Sequence, residues 1–146
     1  MENPERQPTV ESMSVLPLTV QDSERGILRV LPEMGVAMDG RNAVRLFTVT
    51  AGPNVSRGGH AHRQCQQALM VVHGEVQVEC SDAISHKNFL LSRDSGMLVI
   101  PPGIWAKQCY LEAGSVLLVL CDRPYEPEDY IHNRDEFLKW RGSELE

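Results

Sequence analysis

The chain of 146 residues is poor in aromatic side chains, which make up 5% of it, and it contains no long apolar run. Aliphatic side chains must therefore fill most of its core, and an apolar content of 42% suffices for one domain. No stretch approaches the roughly 18 apolar residues that cross a bilayer, and the N-terminus lacks the apolar segment of a secretory signal. These absences predict a single-domain cytoplasmic protein that has no membrane partner.

Blocks of basic residues are also missing, and the formal net charge is -6. A nucleic-acid partner is therefore not expected, since nucleic-acid-binding chains carry clustered lysines and arginines. An anionic small molecule would need local arginines to offset the overall negative charge. The cysteines lack the close spacing of zinc or redox motifs, and we expect all of them to stay reduced: Cys65, Cys80, Cys109 and Cys121.

What the chain does contain is a series of short runs rich in valine, leucine and isoleucine. Turn signals separate them, among them His73-Gly74 and Pro101-Pro102-Gly103. Many short strands joined by regular turns predict a sandwich or a barrel. The predicted strands are Ile27–Leu31, Val44–Thr50, Ala68–Val72, Glu75–Cys80, Met97–Ile100, Ile104–Leu111 and Val116–Cys121.

Only the C-terminal end has a helical pattern. Asn133 is placed to cap a helix, with Glu136 as its capping-box partner three residues on. Phe137 and Trp140 would then share one face, which we expect to pack onto the strands. The polar segment over residues 1–14 is predicted to be a flexible tail, and residues 15–146 a single domain.

Two histidines separated by one residue, His60 and His62, carry the functional signal. On a strand they would project from the same face, and Gly58 and Gly59 before them would let the backbone lie close to a ligand. Adjacent imidazoles suit proton transfer, because their ordinary pKa of about 6.5 lets them take and return a proton near neutral pH. The alternative is that both are ordinary polar residues of an exposed strand.

The spacing of His60-Ala61-His62, Gln67 and Gly74 resembles the first motif of cupins, and Gly96–Ala106 resembles the second. The resemblance implies an all-β single-domain cupin, a jelly-roll β-barrel with a polar pocket and, here, a short C-terminal helix. Metal-binding cupins carry an acid at the position of Gln67 and a histidine at that of Ala106. Neither residue here is a good metal ligand, so we expect no metal and no other cofactor.

Three separated segments resemble the cupin nucleotide-sugar 3,4-ketoisomerases: Arg57–Arg63, Pro101–Trp105 and a C-terminal stretch with Asp129-Tyr130-Ile131. Members of this family convert dTDP-4-keto-6-deoxyglucose into a 3-keto sugar without a metal. The resemblance therefore implies an isomerase of dTDP-sugar biosynthesis whose substrate is a nucleotide sugar. Some members are fused to an acyltransferase, so a fused acyltransferase domain is a further expectation.

The resemblance also implies that His60 and His62 move a proton between C3 and C4 of the sugar through an enediol(ate). We prefer His62 as the base, because it lies deeper along the strand, and His60 as a proton shuttle or oxyanion partner. Arg57 is the candidate for binding the diphosphate, and Arg63 flanks the histidines on the other side. Three more polar residues are predicted to contact the substrate: Gln67, Gln108 and Tyr110.

One departure from the family bears on the activity. Other members carry a tyrosine near the end of the strand before the histidines, whereas Arg45–Thr50 contains none. Either another hydroxyl replaces it, or the substrate or activity differs. The alternatives are a non-catalytic sugar-binding cupin and a related epimerase, which would pair its histidine with an aspartate that the sequence does not place.

The remaining expectations concern packing and assembly. Tyr125 and Tyr130 are predicted to pack within the C-terminal segment, and His132 to lie on the surface. A homodimer is expected, because Ile27–Leu31 and Trp105 offer apolar surface that a small open barrel leaves uncovered.

Overall fold

The computed structural model describes residues 7–142, which form mostly β-strands. The strands are β1 (Val15–Leu16), β2 (Thr19–Ser23), β3 (Gly26–Val30), β4 (Arg45–Ala51), β5 (Val55–His62), β6 (Gln67–His73), β7 (Glu75–Ser81), β8 (His86–Ser92), β9 (Met97–Ile100), β10 (Trp105–Tyr110), β11 (Ser115–Cys121) and β12 (Tyr130–Ile131). The helices are α1 (Met34–Ala37) and α2 (Arg134–Gly142). The prediction of a mainly β chain that ends in a short helix is confirmed.

The strands form two five-stranded antiparallel sheets and a separate hairpin. The strand order is β1-β9-β6-β11-β4 in the first sheet and β12-β5-β10-β7-β8 in the second, and β2 pairs with β3 in the hairpin. Over residues 7–142 no ladder joins the two large sheets, so they do not close into the predicted barrel. Each sheet instead keeps two edge strands, and β4 and β12 are among them.

The main core lies between these two sheets. Along β11 the inward residues Leu117, Val119 and Cys121 are buried and alternate with more exposed neighbours, as expected for a strand that covers a core on one face. Val76 and Val78 on β7 belong to the same cluster from the opposite sheet. Aliphatic side chains therefore form most of the interior, as the low aromatic content predicts.

The chain is already packed before β1 begins. Val10 and Met13 are buried in the main core, and the Val10 N–H donates a hydrogen bond to the Asp82 carboxylate at 3.0 Å. This part of the predicted flexible tail is therefore ordered by apolar contacts. Residues 1–6 of that tail and residues 143–146 of the predicted domain lie outside the described residues.

The C-terminal helix packs on the outer side of the second sheet. The Asn133 side chain accepts a hydrogen bond from the Glu136 N–H at 3.0 Å, so the predicted cap is confirmed. Phe137 is fully buried against Ala61 and Ile131, with Trp105 and Trp140 beside it. None of the helices within residues 7–142 is long and apolar enough to span a membrane.

Candidate active site

A cavity of about 220 Å³ opens between the two sheets. Its wall on the first sheet is apolar and is formed by Phe47, Val49, Leu69, Leu117 and Val119. Its wall on the second sheet is mainly polar and is formed by Arg57, Gly58, His60, Gln108 and Tyr110. Arg45, Gln67 and Tyr130 add polar groups, so the cavity suits a ligand with one apolar and one hydrogen-bonding side.

A β-bulge in β5 decides which side chains face this cavity. Against β10, Gln108 pairs with Arg57 and Lys107 with Gly58, but Ala106 pairs with His60, so Gly59 is an extra residue. Both glycines have positive φ values, +83° and +77°, which favour residues without a side chain. Because the extra residue shifts the strand alternation, Arg57 and His60 both line the cavity although they are three residues apart.

The two histidines occupy different depths. His60 lines the cavity, whereas His62 is buried behind it, and the two rings meet edge to face with centroids 5.2 Å apart. His62 Nδ1 lies 2.9 Å from Asp129 Oδ2, and the same carboxylate accepts hydrogen bonds from the backbone N–H groups of Gln64 and Cys65. An ionised Asp129 requires the proton on Nδ1, which leaves the lone pair of His62 on Nε2.

Both imidazoles are held in the neutral form. Burial, with smaller contributions from His62 and His132, lowers the pKa of His60 from 6.5 to about 4. Burial also lowers the pKa of His62, although the hydrogen bond to Asp129 opposes the effect. Neutral histidines beside a cavity can accept a proton near pH 7, as acid–base chemistry requires.

An arginine and a tyrosine lie beside His60. Arg45 Nη1 donates a hydrogen bond to the Tyr130 hydroxyl at 3.4 Å, and both residues line the cavity. The Tyr130 ring is 5.1 Å from the His60 ring and 4.3 Å from the His62 ring, centroid to centroid. A cation, a hydroxyl and an imidazole therefore converge at one end of the cavity.

The other end of the cavity contains an unsatisfied hydroxyl. Tyr110 is fully buried and lines the cavity, and its hydroxyl has no hydrogen-bond partner among residues 7–142. Burial raises the pKa of Tyr110 to about 12, so the phenol is neutral at physiological pH. A buried polar group without a partner is costly, and a bound ligand would relieve that cost.

Comparison with known proteins places the chain in a family. Residues 11–142 match the family model described as "FdtA: WxcM-like, C-terminal". The chain belongs to the FdtA family.

A curated relative of this FdtA-family chain is the TDP-4-oxo-6-deoxy-alpha-D-glucose-3,4-oxoisomerase of Aneurinibacillus thermoaerophilus. It is 29% identical over 84 residues, which cover 58% of this chain and 60% of the relative's length. A 3,4-ketoisomerase from Helicobacter canadensis has a similar structure, with a TM-score of 0.81 and 26% identity over 90% of this chain and 98% of that one. A TDP-quinovose 3,4-ketoisomerase from Campylobacter jejuni gives a TM-score of 0.78 and 28% identity over 88% and 98% of the two chains.

Most of the predicted substrate contacts of this FdtA-family chain come together. Arg57, Gln67, Gln108 and Tyr110 all line the cavity with His60. Gln67 also donates from Nε2 to the Cys121 sulfur at 3.5 Å, which holds its amide in place.

Arg63 does not reach this cavity. Its guanidinium donates to the backbone carbonyl oxygens of Glu128 and Tyr130, at 2.8 and 2.9 Å, and to the Glu136 carboxylate at 2.8 Å. The predicted substrate contact of Arg63 is therefore replaced by a structural one, which fastens the C-terminal segment to the end of β5.

Four residues of the site lie outside the predicted set: Arg45, Asp129, Tyr130 and His132. His132, expected on the surface, stacks on Tyr130 and approaches the His60 ring to 5.8 Å, while remaining exposed. The segment Asp129-Tyr130-Ile131 belongs to the family resemblance, and this resemblance is the sequence feature that could have marked Asp129 and Tyr130 as site residues. Nothing in the spacing of these residues shows that they meet the histidines.

A possible metal-binding group borders the site. Within residues 7–142, ligand atoms of His62, Cys65 and Asp129 lie within 4.8 Å of one another. The Asp129 carboxylate already accepts two backbone hydrogen bonds and faces His62 Nδ1. This arrangement orients the His62 ring, and a metal-free reaction stays a prediction.

Proposed function

We propose that this FdtA-family protein is a dTDP-sugar 3,4-ketoisomerase. It converts dTDP-4-keto-6-deoxyglucose into a dTDP-3-keto-6-deoxyhexose through an enediol(ate), without a metal or other cofactor. The observation that carries this proposal is His60, a neutral imidazole on the cavity wall, backed by the His62–Asp129 pair. The named activities of the relatives support the same substrate class.

In this mechanism His60 is the base. It takes the proton from C3, next to the C4 ketone, and returns it to C4 of the enediol(ate), so that the ketone moves to C3. His60 has this role because it lines the cavity, whereas His62 lies behind it. His62, which the sequence favours as the base, instead orients His60 through their edge-to-face contact and is itself oriented by Asp129.

The polar wall of the cavity holds the substrate. Arg57 is the candidate for the diphosphate, since a guanidinium can make paired hydrogen bonds to phosphate oxygens. Gln67, Gln108 and Tyr110 offer hydrogen bonds to the sugar, and Tyr110 gains a partner for its unsatisfied hydroxyl. The apolar wall accommodates the deoxygenated C6 methyl group of the sugar.

Several finer features belong to the same proposal. The two facing sheets form an open version of the cupin jelly roll, and the protein acts in the cytoplasm as a homodimer. A fused acyltransferase domain would supply a later step in the use of the product.

The closest competing function is epimerisation of a keto sugar. The His62–Asp129 pair favours it, because an epimerase of this kind pairs its histidine with an aspartate. The two reactions differ in their products. An epimerase exchanges the proton on a carbon next to the ketone and inverts the configuration of that carbon, whereas an isomerase moves the ketone itself.

The test is incubation with dTDP-4-keto-6-deoxyglucose in D2O, followed by NMR. We expect the ketone carbon signal to move from C4 to C3 and deuterium to appear at C4. His60→Asn should reduce turnover by about 10²–10⁴-fold, the range for loss of a general base, while dTDP still binds. Deuterium next to an unmoved C4 ketone would identify an epimerase, and binding without exchange would identify a non-catalytic cupin.

A further inference from the structure

The Arg45–Tyr130 pair has no part in the carbon proton transfer described above. We propose that Tyr130 is a second catalytic residue, which carries a proton between the two reacting oxygens of the sugar while Arg45 stabilises it. The inference rests on the proposed ketoisomerase function and deepens it.

The chemistry needs such a group. As the C3 proton moves to C4, the oxygen on C4 must gain a proton and the oxygen on C3 must lose one. When His60 removes the C3 proton, the C3–H electron pair forms the C3–C4 double bond and the C4–O4 π pair moves onto O4, to which a phenol can donate its proton. It then takes the proton from O3 as the C3–O3 double bond forms. The O4–H bond is made, the O3–H bond is broken, and the phenol ends unchanged without any oxidant or reductant.

The Tyr130 hydroxyl lies where this transfer would occur. Its oxygen accepts the hydrogen bond from Arg45, so its own proton remains available to a ligand in the cavity. While the phenol lacks its proton, the guanidinium stabilises the negative oxygen, since a charged donor makes the stronger hydrogen bond. With ring centroids only 5.1 Å apart, His60 and Tyr130 can contact adjacent atoms of one sugar ring.

Both partners are held in place from several sides. Tyr130 pairs with His62 across the β12–β5 ladder, and its carbonyl oxygen accepts a hydrogen bond from Arg63. The Arg45 guanidinium lies over the Phe47 ring at 4.7 Å and over the Tyr125 ring at 5.0 Å. Such fixed geometry is what a group needs if it is to act without reorganising during the reaction.

Other polar residues on the cavity wall fit the role less well. Tyr110 lies four residues beyond Ala106, the β10 partner of His60, which is roughly 13 Å along a strand at about 3.3 Å per residue. The amides of Gln67 and Gln108 do not give up protons near neutral pH, and the guanidinium of Arg57 has only donors and no acceptor atom.

The decisive variant is Tyr130→Phe, which removes the hydroxyl and keeps the ring. We expect kcat for the ketone transfer to fall at least 100-fold, with the KM and the affinity for dTDP changed by less than about threefold. Tyr125→Phe is the matched control, because its ring lies 5.6 Å from that of Tyr130 and also contacts Arg45. Its kcat should remain within twofold of the wild type.

A second pair of variants keeps Tyr130 in place, in case Tyr130→Phe does not fold. Arg45→Gln should lower kcat about tenfold or more, and Arg45→Lys, which retains a cation, should recover part of that loss. If the wild type turns over and the kcat of Tyr130→Phe lies within threefold of the wild-type value, the role of Tyr130 is overturned. Equal kcat values for Arg45→Gln and Arg45→Lys would overturn it as well. Absence of wild-type turnover would overturn the proposed function and this inference together.

Discussion

At the scale of single residues, the decisive feature is the neutral state of His60. The lowered pKa has a consequence for stability as well as for catalysis, because the unfolded chain binds a proton on this histidine at a higher pH than the folded chain does. Wherever the unfolded state binds more protons, stability rises with pH. Between the ordinary pKa of 6.5 and the folded value of about 4, acidification should therefore destabilise the protein.

This effect can be measured by urea unfolding at pH 7 and pH 5. His60 should account for about 2 kcal/mol of the stability lost between these values, since one pKa unit corresponds to about 1.4 kcal/mol. His60→Gln should lose less stability over that interval than the wild type, whereas His73→Gln, at an exposed hairpin position, should behave like the wild type. Equal losses of unfolding free energy in all three proteins would show that the pKa of His60 is not lowered by folding.

Site residues within one short stretch of sequence were predictable, but contacts between residues distant in sequence were not. His60 follows from the local spacing of the two histidines, Arg57 and Gln67 follow from the family resemblance, and the structure brings all three to one cavity. Asp129 lies 67 residues from His62, and only the fold shows that the two meet. The structural role of Arg63 was missed for the same reason, because its partners Glu128 and Glu136 lie 65 and 73 residues away in sequence.

At the scale of structural elements, the bulge in β5 determines which side chains of that strand face the cavity. Regular alternation predicts that His60 and His62 share a face with Gly58 and exclude Arg57. The extra Gly59 changes this pattern, so Arg57 and His60 line one cavity. The helix cap at Asn133, by contrast, is a local hydrogen-bond pattern and was predicted correctly.

The variants Gly58→Ala and Gly59→Ala should distinguish the effect of backbone strain on stability from the effect of a displaced side chain on substrate binding. Gly59→Ala should cost about 1 kcal/mol for its positive φ and leave the KM unchanged, since the new methyl group meets no atom closer than 3.9 Å. In Gly58→Ala the methyl group would lie 2.5 Å from Gln108 Oε1, so Gln108 must move. We expect a larger loss of stability and a KM raised about fivefold, as for one lost hydrogen bond.

The unfolding free energies and steady-state kinetics of both variants test this expectation. A Gly58→Ala protein with the same KM as Gly59→Ala would show that the position of Gln108 does not matter for substrate binding.

At the scale of the whole molecule, the β2–β3 hairpin stands apart from both large sheets. Val20, Ile27, Leu28 and Val30 are each roughly half exposed on it, and such a surface invites association with another chain. We expect light scattering to give a mass near twice the monomer's 16.4 kDa. Leu28→Asp should shift the mass toward the monomer, whereas Ile84→Asp, at an exposed site away from the hairpin, should not. A monomeric wild type at micromolar concentration would contradict the dimer.

The class of fold was predictable from strand-like runs and turn signals, but the closure of the sheets was not. Alternation within a strand shows which side chains face a core, and the mainly β prediction follows from it. Whether edge strands such as β4 and β12 pair with each other depends on contacts between distant segments. The sequence therefore predicts a sandwich or a barrel without deciding between them, and over residues 7–142 the two large sheets face each other without closing into a barrel.

The Arg63 anchor also affects the order in which this protein becomes functional. His60 and His62 lie on β5. Asp129 and Tyr130 come from the C-terminal segment and reach the histidines only when this segment, held by Arg63, docks onto β5. The facing sheets bury most of the core, and β12 adds only a two-residue ladder at an edge. In a refolding time course, the recovery of activity should therefore lag behind the burial of the core, and the delay would measure the docking of this last segment.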